Sequence, residues 1–226
     1  MSQTDFVLVH GAWHGGWCWR RVADRLTARN HRVFTPTLTG LGERSHLLSA
    51  DVNLSTHVTD IVNVLRWEEL SNVVLCGHSY GGMVVTGVAD RAPERIATLV
   101  YLDAFVPESG QSMQDLRPRE LPSGIVMPPI KAETFRVNMR DRAWVDRQCT
   151  PHPIACITEK LALTGAYRGV QRRVYIRAAE YPSPAFDACY ERTKADPGWS
   201  VHTLPCGHDV MVDMPDALAE LLEASA

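Results

Sequence analysis

The chain has 226 residues, 45% of them hydrophobic and 22% charged, with a formal net charge of −3 at pH 7. That composition supports one domain around a large buried core and excludes a disordered chain, which needs fewer apolar residues and more net charge. No basic stripe suits nucleic acid, and no apolar run approaches the roughly 20 residues of a membrane helix.

Phe6, Val7, Leu8 and Val9 form a short apolar run that ends at His10-Gly11 and reads as a buried strand. No basic leader precedes it, so a soluble, cytoplasmic protein is expected. Residues 17–29 place Trp19, Val22, Ala23 and Leu26 at helical spacing. Residues 32–35 predict a second strand, halted by Pro36, and a loop follows to residue 54. The next helix carries Val58, Ile61, Val62 and Leu65 on one face, with Ser55 or Thr56 as its cap. Residues 73–76 (Val-Val-Leu-Cys) are a continuous apolar strand, and residues 80–91 a helix closed by Pro93. Further strands are predicted at 97–105, 173–177 and 199–204. The last helix carries Leu218, Leu221 and Leu222, with Asp213 as its N-cap. Strands and helices alternate, and the strands are unbroken apolar runs. That pattern predicts a mostly parallel sheet with helices on both faces, where ligands sit at the carboxyl ends of the strands.

The alternation breaks over residues 107–170, which are rich in proline and carry Met113, Met127, Phe135, Met139 and Trp144. An insertion of that length predicts a cap over the site, with a helix over 132–148. The whole chain, 1–226, is thus expected to be one domain with this cap insertion.

Gly77-His78-Ser79-Tyr80-Gly81 has the spacing G-x-S-x-G, between a buried strand and a helix. A serine on that tight turn is pushed out at the top of the sheet as a nucleophile, and the glycines make room for neighbouring backbone. The glycine-rich loop from His10 to Gly16 follows the first strand. It offers backbone N–H groups to a developing oxyanion: Ala12 with Tyr80, or Trp13 in place of Ala12. Trp13 and His14 are also placed to line a substrate pocket. Serine needs a base, and His208 is the one histidine after the last predicted strand. Two carboxylates follow Ser79 and precede His208 in suitable places to orient it. Asp103 sits in an apolar run, where a charge is costly without a partner, and Glu180 follows the strand at 173–177. Both remain open as the acid.

Six cysteines lack the Cys-x-x-Cys spacing of zinc sites and read as reduced thiols. Cys18 and Cys206 flank the two loops of the site, which predicts sensitivity to thiol reagents. The modest charge points to a small, largely neutral molecule as partner.

The stretches from Phe6 to Trp19 and Gly77 to Gly82, with Leu99 to Pro107 and Cys206 to Asp209, resemble one branch of the α/β-hydrolases. That branch holds plant methylesterases, hydroxynitrile lyases and small bacterial esterases. The resemblance is strongest to bacterial esterases that hydrolyse the carbamate carbendazim. It implies the α/β-hydrolase fold, an ester or carbamate substrate, and no metal or other cofactor. Hydroxynitrile lyases of the branch carry threonine where this chain has Gly11, and lysine where it has Asp209. Both departures weigh against lyase chemistry. A non-catalytic receptor on the same fold is a further alternative. The branch also places an aspartate near the position of Glu180, where this chain has none.

Overall fold

The computed structural model describes residues 3–226 of the chain. Its unbroken apolar runs become strands β1 (Asp5–Val9), β2 (Arg32–Phe34), β3 (Val73–His78) and β4 (Ile96–Leu102). Two-residue strands β5 (Val126–Met127) and β6 (His152–Pro153) pair antiparallel in the cap. Strands β7 (Arg172–Ala178) and β8 (Trp199–Leu204) complete the main sheet. Its order is β2-β1-β3-β4-β7-β8, with every neighbour parallel. All six residues of β3 are buried, which is why no polar alternation shows in that strand.

Helices α1 (Arg20–Ala28), α2 (Leu54–Trp67) and α3 (Gly81–Arg91) connect the first strands. The cap contributes α4 (Met113–Leu116), α5 (Arg142–Gln148) and α6 (Ile154–Thr158). Helices α7 (Pro184–Lys194), α8 (Val210–Asp213) and α9 (Pro215–Ala224) finish the chain. Helix α1 packs on α9, and α2 on α3. Among the described residues no helix is long and apolar enough to cross a membrane.

Several local expectations are corrected. Helix α2 is capped by Asn53, whose Oδ1 accepts from the Thr56 N–H at 2.9 Å, and not by Ser55 or Thr56. Strand β4 stops at Leu102, because Asp103 turns out of the sheet with φ +42°. Over 132–148 only α5 is helical: Arg136 adopts φ +58°, and the Phe135 carbonyl turns to the His208 N–H at 2.8 Å instead of continuing a helix. Asp213 ends α8, its Oδ1 accepting from Asn138, while Met214 and Pro215 start α9. Helix α7 was not predicted.

Candidate active site

Ser79 follows β3 and has φ +54°, a conformation that non-glycine residues rarely adopt. The turn is braced by its neighbour strand: the Ser79 N–H donates to the Leu102 carbonyl (3.1 Å), and the Phe105 N–H donates to the Ser79 carbonyl (3.2 Å). Glycines are forced here by contact. A Cβ on Gly77 would lie 2.5 Å from the Gly81 carbonyl oxygen, and one on Gly81 would lie 2.8 Å from that of Val9. A Cβ on Gly11 would lie 2.9 Å from both Ser79 Cβ and His78 Nδ1.

Among the described residues, neither the Ala12 N–H nor the Tyr80 N–H donates to a protein acceptor. The Trp13 N–H instead faces His152 Nδ1 at 3.4 Å, so Ala12 is the freer donor in this loop. The Tyr80 ring is anchored away from the turn, its hydroxyl 3.0 Å from His57 Nδ1. His57 Nε2 donates to the Thr39 carbonyl at 2.8 Å, so Nδ1 is the acceptor for that hydroxyl.

His208 lies between β8 and α8 and is 2% exposed. Its backbone is held on both sides, by the Phe135 carbonyl and by His78 Nε2, which donates to the His208 carbonyl at 3.0 Å. Its ring stacks on Tyr181 and Phe186, with centroids at 4.5 and 5.2 Å. Nδ1 donates to Asp103 Oδ2 at 2.6 Å. A donor Nδ1 leaves Nε2 as the basic nitrogen. Neither Nε2 nor Ser79 Oγ is hydrogen-bonded among the described residues, an openness common in unliganded hydrolases.

Asp103 is fully buried and doubly held. Its Oδ1 accepts from Arg177 Nη1 at 2.5 Å and from the Ala178 N–H at 3.2 Å. Arg177 also reaches Asp187 Oδ1 on α7 (2.7 Å) and the Tyr181 carbonyl (2.6 Å). The structure therefore places Asp103, not Glu180, at His208. Glu180 is exposed, and its N–H donates to the Cys206 carbonyl at 3.1 Å. Sequence reasoning missed Arg177, Phe186 and Tyr181. Ser183-Pro184, a capping residue before a first-turn proline, was the available signal for the helix that carries Phe186.

Both ring nitrogens of His14 are taken, so neither is free to bond a ligand. Nδ1 faces the Ala12 carbonyl at 2.9 Å and Nε2 faces Asp209 Oδ2 at 3.0 Å. Two acceptors require two ring protons, so His14 is an imidazolium. Burial alone would push His14 down, but Asp209 outweighs it and the net shift is upward. Burial likewise pushes Asp209 up, yet His14 holds it down at about 2. This pair ties the oxyanion loop to the residue after His208. Trp13 (φ +66°) is tied to the cap: its carbonyl accepts from the Thr150 N–H at 2.9 Å and its Nε1–H donates to the Met127 carbonyl at 3.2 Å.

Cys18 and Cys206 are both buried, and burial pushes the Cys206 thiol up to about 12 and Cys18 well above its ordinary range. The expected thiol-reagent sensitivity does not suit that burial, since the thiolate is the reactive form. Among the described residues no group of three or more His, Cys, Asp or Glu is placed to hold a metal ion.

Residues 6–221 match the family described as "Alpha/beta hydrolase family". The chain is 48% identical over 239 aligned positions to a carbendazim hydrolyzing esterase of Nocardioides sp. (strain SG-4G), covering 98% of this chain and 99% of that protein. It is 32% identical to Methylesterase 1 of Arabidopsis thaliana over 66% of this chain and 52% of that protein, so it spans about half of that relative. Among solved structures, an extracellular alpha/beta-hydrolase from a Paenibacillus species superposes with a TM-score of 0.84 at 22% identity, covering 99% of both chains. Tomato methylketone synthase I superposes with the same TM-score of 0.84 at 19% identity, covering 99% of this chain and 98% of that one.

Proposed function

This chain belongs to the alpha/beta hydrolase family and is a carboxylic ester hydrolase, and from that premise we propose that it cleaves a small ester or carbamate through an acyl-enzyme on Ser79. Ser79 Oγ attacks the carbonyl carbon while His208 Nε2 takes the hydroxyl proton. The Ala12 and Tyr80 N–H groups receive the oxyanion, a contribution of about 3 kcal/mol for each donor. The bond to the leaving group then breaks, and His208 returns the proton to the departing alcohol or amine. Water attacks the acyl-enzyme as His208 takes its proton; the acyl–Oγ bond then breaks as His208 returns that proton to Ser79 Oγ, releasing the carboxylic or carbamic acid and free Ser79. Asp103 holds the imidazole in the required tautomer and faces the charge it gains.

One observation carries this reading. His208 has Nδ1 engaged by a buried carboxylate and Nε2 open, on a loop held to the Ser79 turn by the hydrogen bond from His78 Nε2 to the His208 carbonyl. The relative named for carbendazim hydrolysis supports a carbamate or ester with a flat apolar portion, for which Trp13, Phe135 and Tyr181 supply walls. Lyase chemistry is disfavoured in physical terms. The Gly11 position has no room for a threonine as it stands, and Asp209 is a buried anion where a departing cyanide needs a cation. The six free thiols suit a reducing, cytoplasmic setting.

A fluorophosphonate probe tests the nucleophile and separates hydrolase from receptor. Folded protein is expected to label at Ser79, and Ser79→Ala to lose about 10³-fold or more in nitrophenyl ester hydrolysis. An unlabelled Ser79, with a fully active alanine variant, would overturn it.

A further inference from the structure

The cap carries two arginines whose charge has no partner. Arg117 and Arg119 are half-buried, and neither forms an ion pair with a carboxylate among the described residues. Most of the other half-buried arginines are paired, as Arg21 is with Asp141 and Arg25 with Asp216. Leaving two guanidiniums partly out of water and close to each other is unfavourable unless something anionic joins them. Burial and the nearby charge of Arg117 both push Arg119 down from the usual guanidinium range, the direction expected of cations waiting for an anion.

Their position relates them to the catalytic centre. Both Arg117 terminal nitrogens lie 3.4 Å from the Tyr181 hydroxyl, and the Tyr181 ring is the one stacked on His208. Arg119 lies over the Trp13 ring, 5.9 Å from its centroid, beside Ala12, and among the described residues its guanidinium's one hydrogen bond is a weak one to Met127 Sδ at 3.5 Å. Each guanidinium is thus one aromatic ring away from a group that handles the reacting carbonyl. A third unpartnered donor sits in the same wall. His152 is fully buried, its Nδ1 faces the Trp13 N–H, and its Nε2 has no hydrogen-bond partner among the described residues. His152 also packs on Tyr80, with centroids 4.7 Å apart. The roof therefore offers donors and no acceptor of matching charge.

We infer that Arg117 and Arg119 select substrates that carry a carboxylate besides the scissile ester or carbamate. A planar guanidinium fork matches a carboxylate, and the hydrogen bonds it makes are charge-assisted. The small, largely neutral partner suggested by overall charge is replaced by a monoanion, which a net charge of −3 on the whole chain does not exclude because the local field is set by the roof. This inference rests on the hydrolase reading for its catalytic arm but not for its binding arm.

The test compares 4-nitrophenyl butyrate with mono-4-nitrophenyl glutarate, which adds a terminal carboxylate, in the wild type, Arg117→Gln, Arg119→Gln and the double variant. The readout is the ratio of kcat/KM for the two esters, which general damage to the fold leaves unmoved. The wild-type ratio is expected to favour the glutarate ester about tenfold, and the double variant to lose about that factor or more. Arg119→Lys should retain part of it. Glutarate itself provides the second arm: it should raise the Tm of the wild type and not of the double variant. Equal ratios in the wild type and double variant, without stabilisation by glutarate, overturn the inference while the hydrolase reading stands. Arginine-dependent stabilisation by glutarate, with neither ester turned over, keeps the roof and removes the hydrolase reading.

Discussion

Asp103 is the residue at which sequence and structure differ most in what they could decide. Its carboxylate in an apolar run signalled a buried partner, but Glu180 satisfied the same chain order. Distance separates the two: His208 Nδ1 lies 2.6 Å from Asp103, and Glu180 is exposed. Asp103→Asn should lower kcat by about 10³-fold or more by spoiling the imidazole tautomer, and Glu180→Gln should change it by about twofold at most. Nitrophenyl ester kinetics on the two variants check this; comparable losses in both would refute the assignment. Ser79 and His208 were legible because each sits at the end of a strand in a short glycine-bearing motif. The uses of Trp13 and His14 were not legible. Their partners lie 114 to 195 residues away, and nothing local shows that His14 meets Asp209 or that Trp13 is tied to the cap.

Helix α7 works as a brace between sheet and site, through Phe186 against the His208 ring and Asp187 against Arg177. Arg177 is the joint: it links the end of β7, the acid after β4 and α7. Removing it leaves a buried carboxylate uncompensated, a loss of about 3–5 kcal/mol. Arg177→Met should therefore lower Tm by about 10 °C in differential scanning calorimetry, and a change under about 2 °C would contradict that role. Asp187 is largely exposed at the same joint, so Asp187→Asn should cost far less. At this scale the long strands and α1 to α3 were readable from apolar runs and helical spacing. The cap was not, because its elements are two to seven residues long and are held by distant loops. A helical look over 132–148 lost to the hydrogen bond between Phe135 and His208, a tertiary contact overriding local propensity.

Charge titration links the whole molecule to pH through its buried histidines. Burial holds His10 at about 3 and His57 at about 4, and pushes His78 and His152 well below their ordinary value. Each stays neutral when folded but takes a proton when unfolded below about pH 6.5. Stability therefore falls as pH drops below that value, by up to about 1.4 kcal/mol per histidine per pH unit. His14 has the opposite sign. Its pKa is raised, so its contribution is full below about 6.5 and is lost as pH rises through the folded value. Asp209, held at about 2, contributes above the ordinary carboxylate range and loses that only as pH falls through about 2. Urea unfolding should thus show maximal stability near neutrality, with most of a typical 5–15 kcal/mol gone within about two pH units on the acid side. A flat profile between pH 5 and 7 would contradict the neutral buried histidines. The alternation of strands and helices made the parallel sheet legible from the chain, whereas this histidine-rich interior depends on loops that only the assembled fold brings together.

The closed centre has a consequence in time. Ser79 is 8% exposed and His208 2%, and the rings of Trp13, Phe135 and Tyr181 beside them are no more open than Ser79. If substrate enters only through an opening of the roof, capture proceeds at the encounter rate multiplied by the fraction of molecules that are open. An ordinary association rate of about 10⁶ M⁻¹s⁻¹ becomes about 10⁴ M⁻¹s⁻¹ if one molecule in a hundred is open. Two compounds with equally reactive carbonyls would then be told apart by how long each can wait at the door.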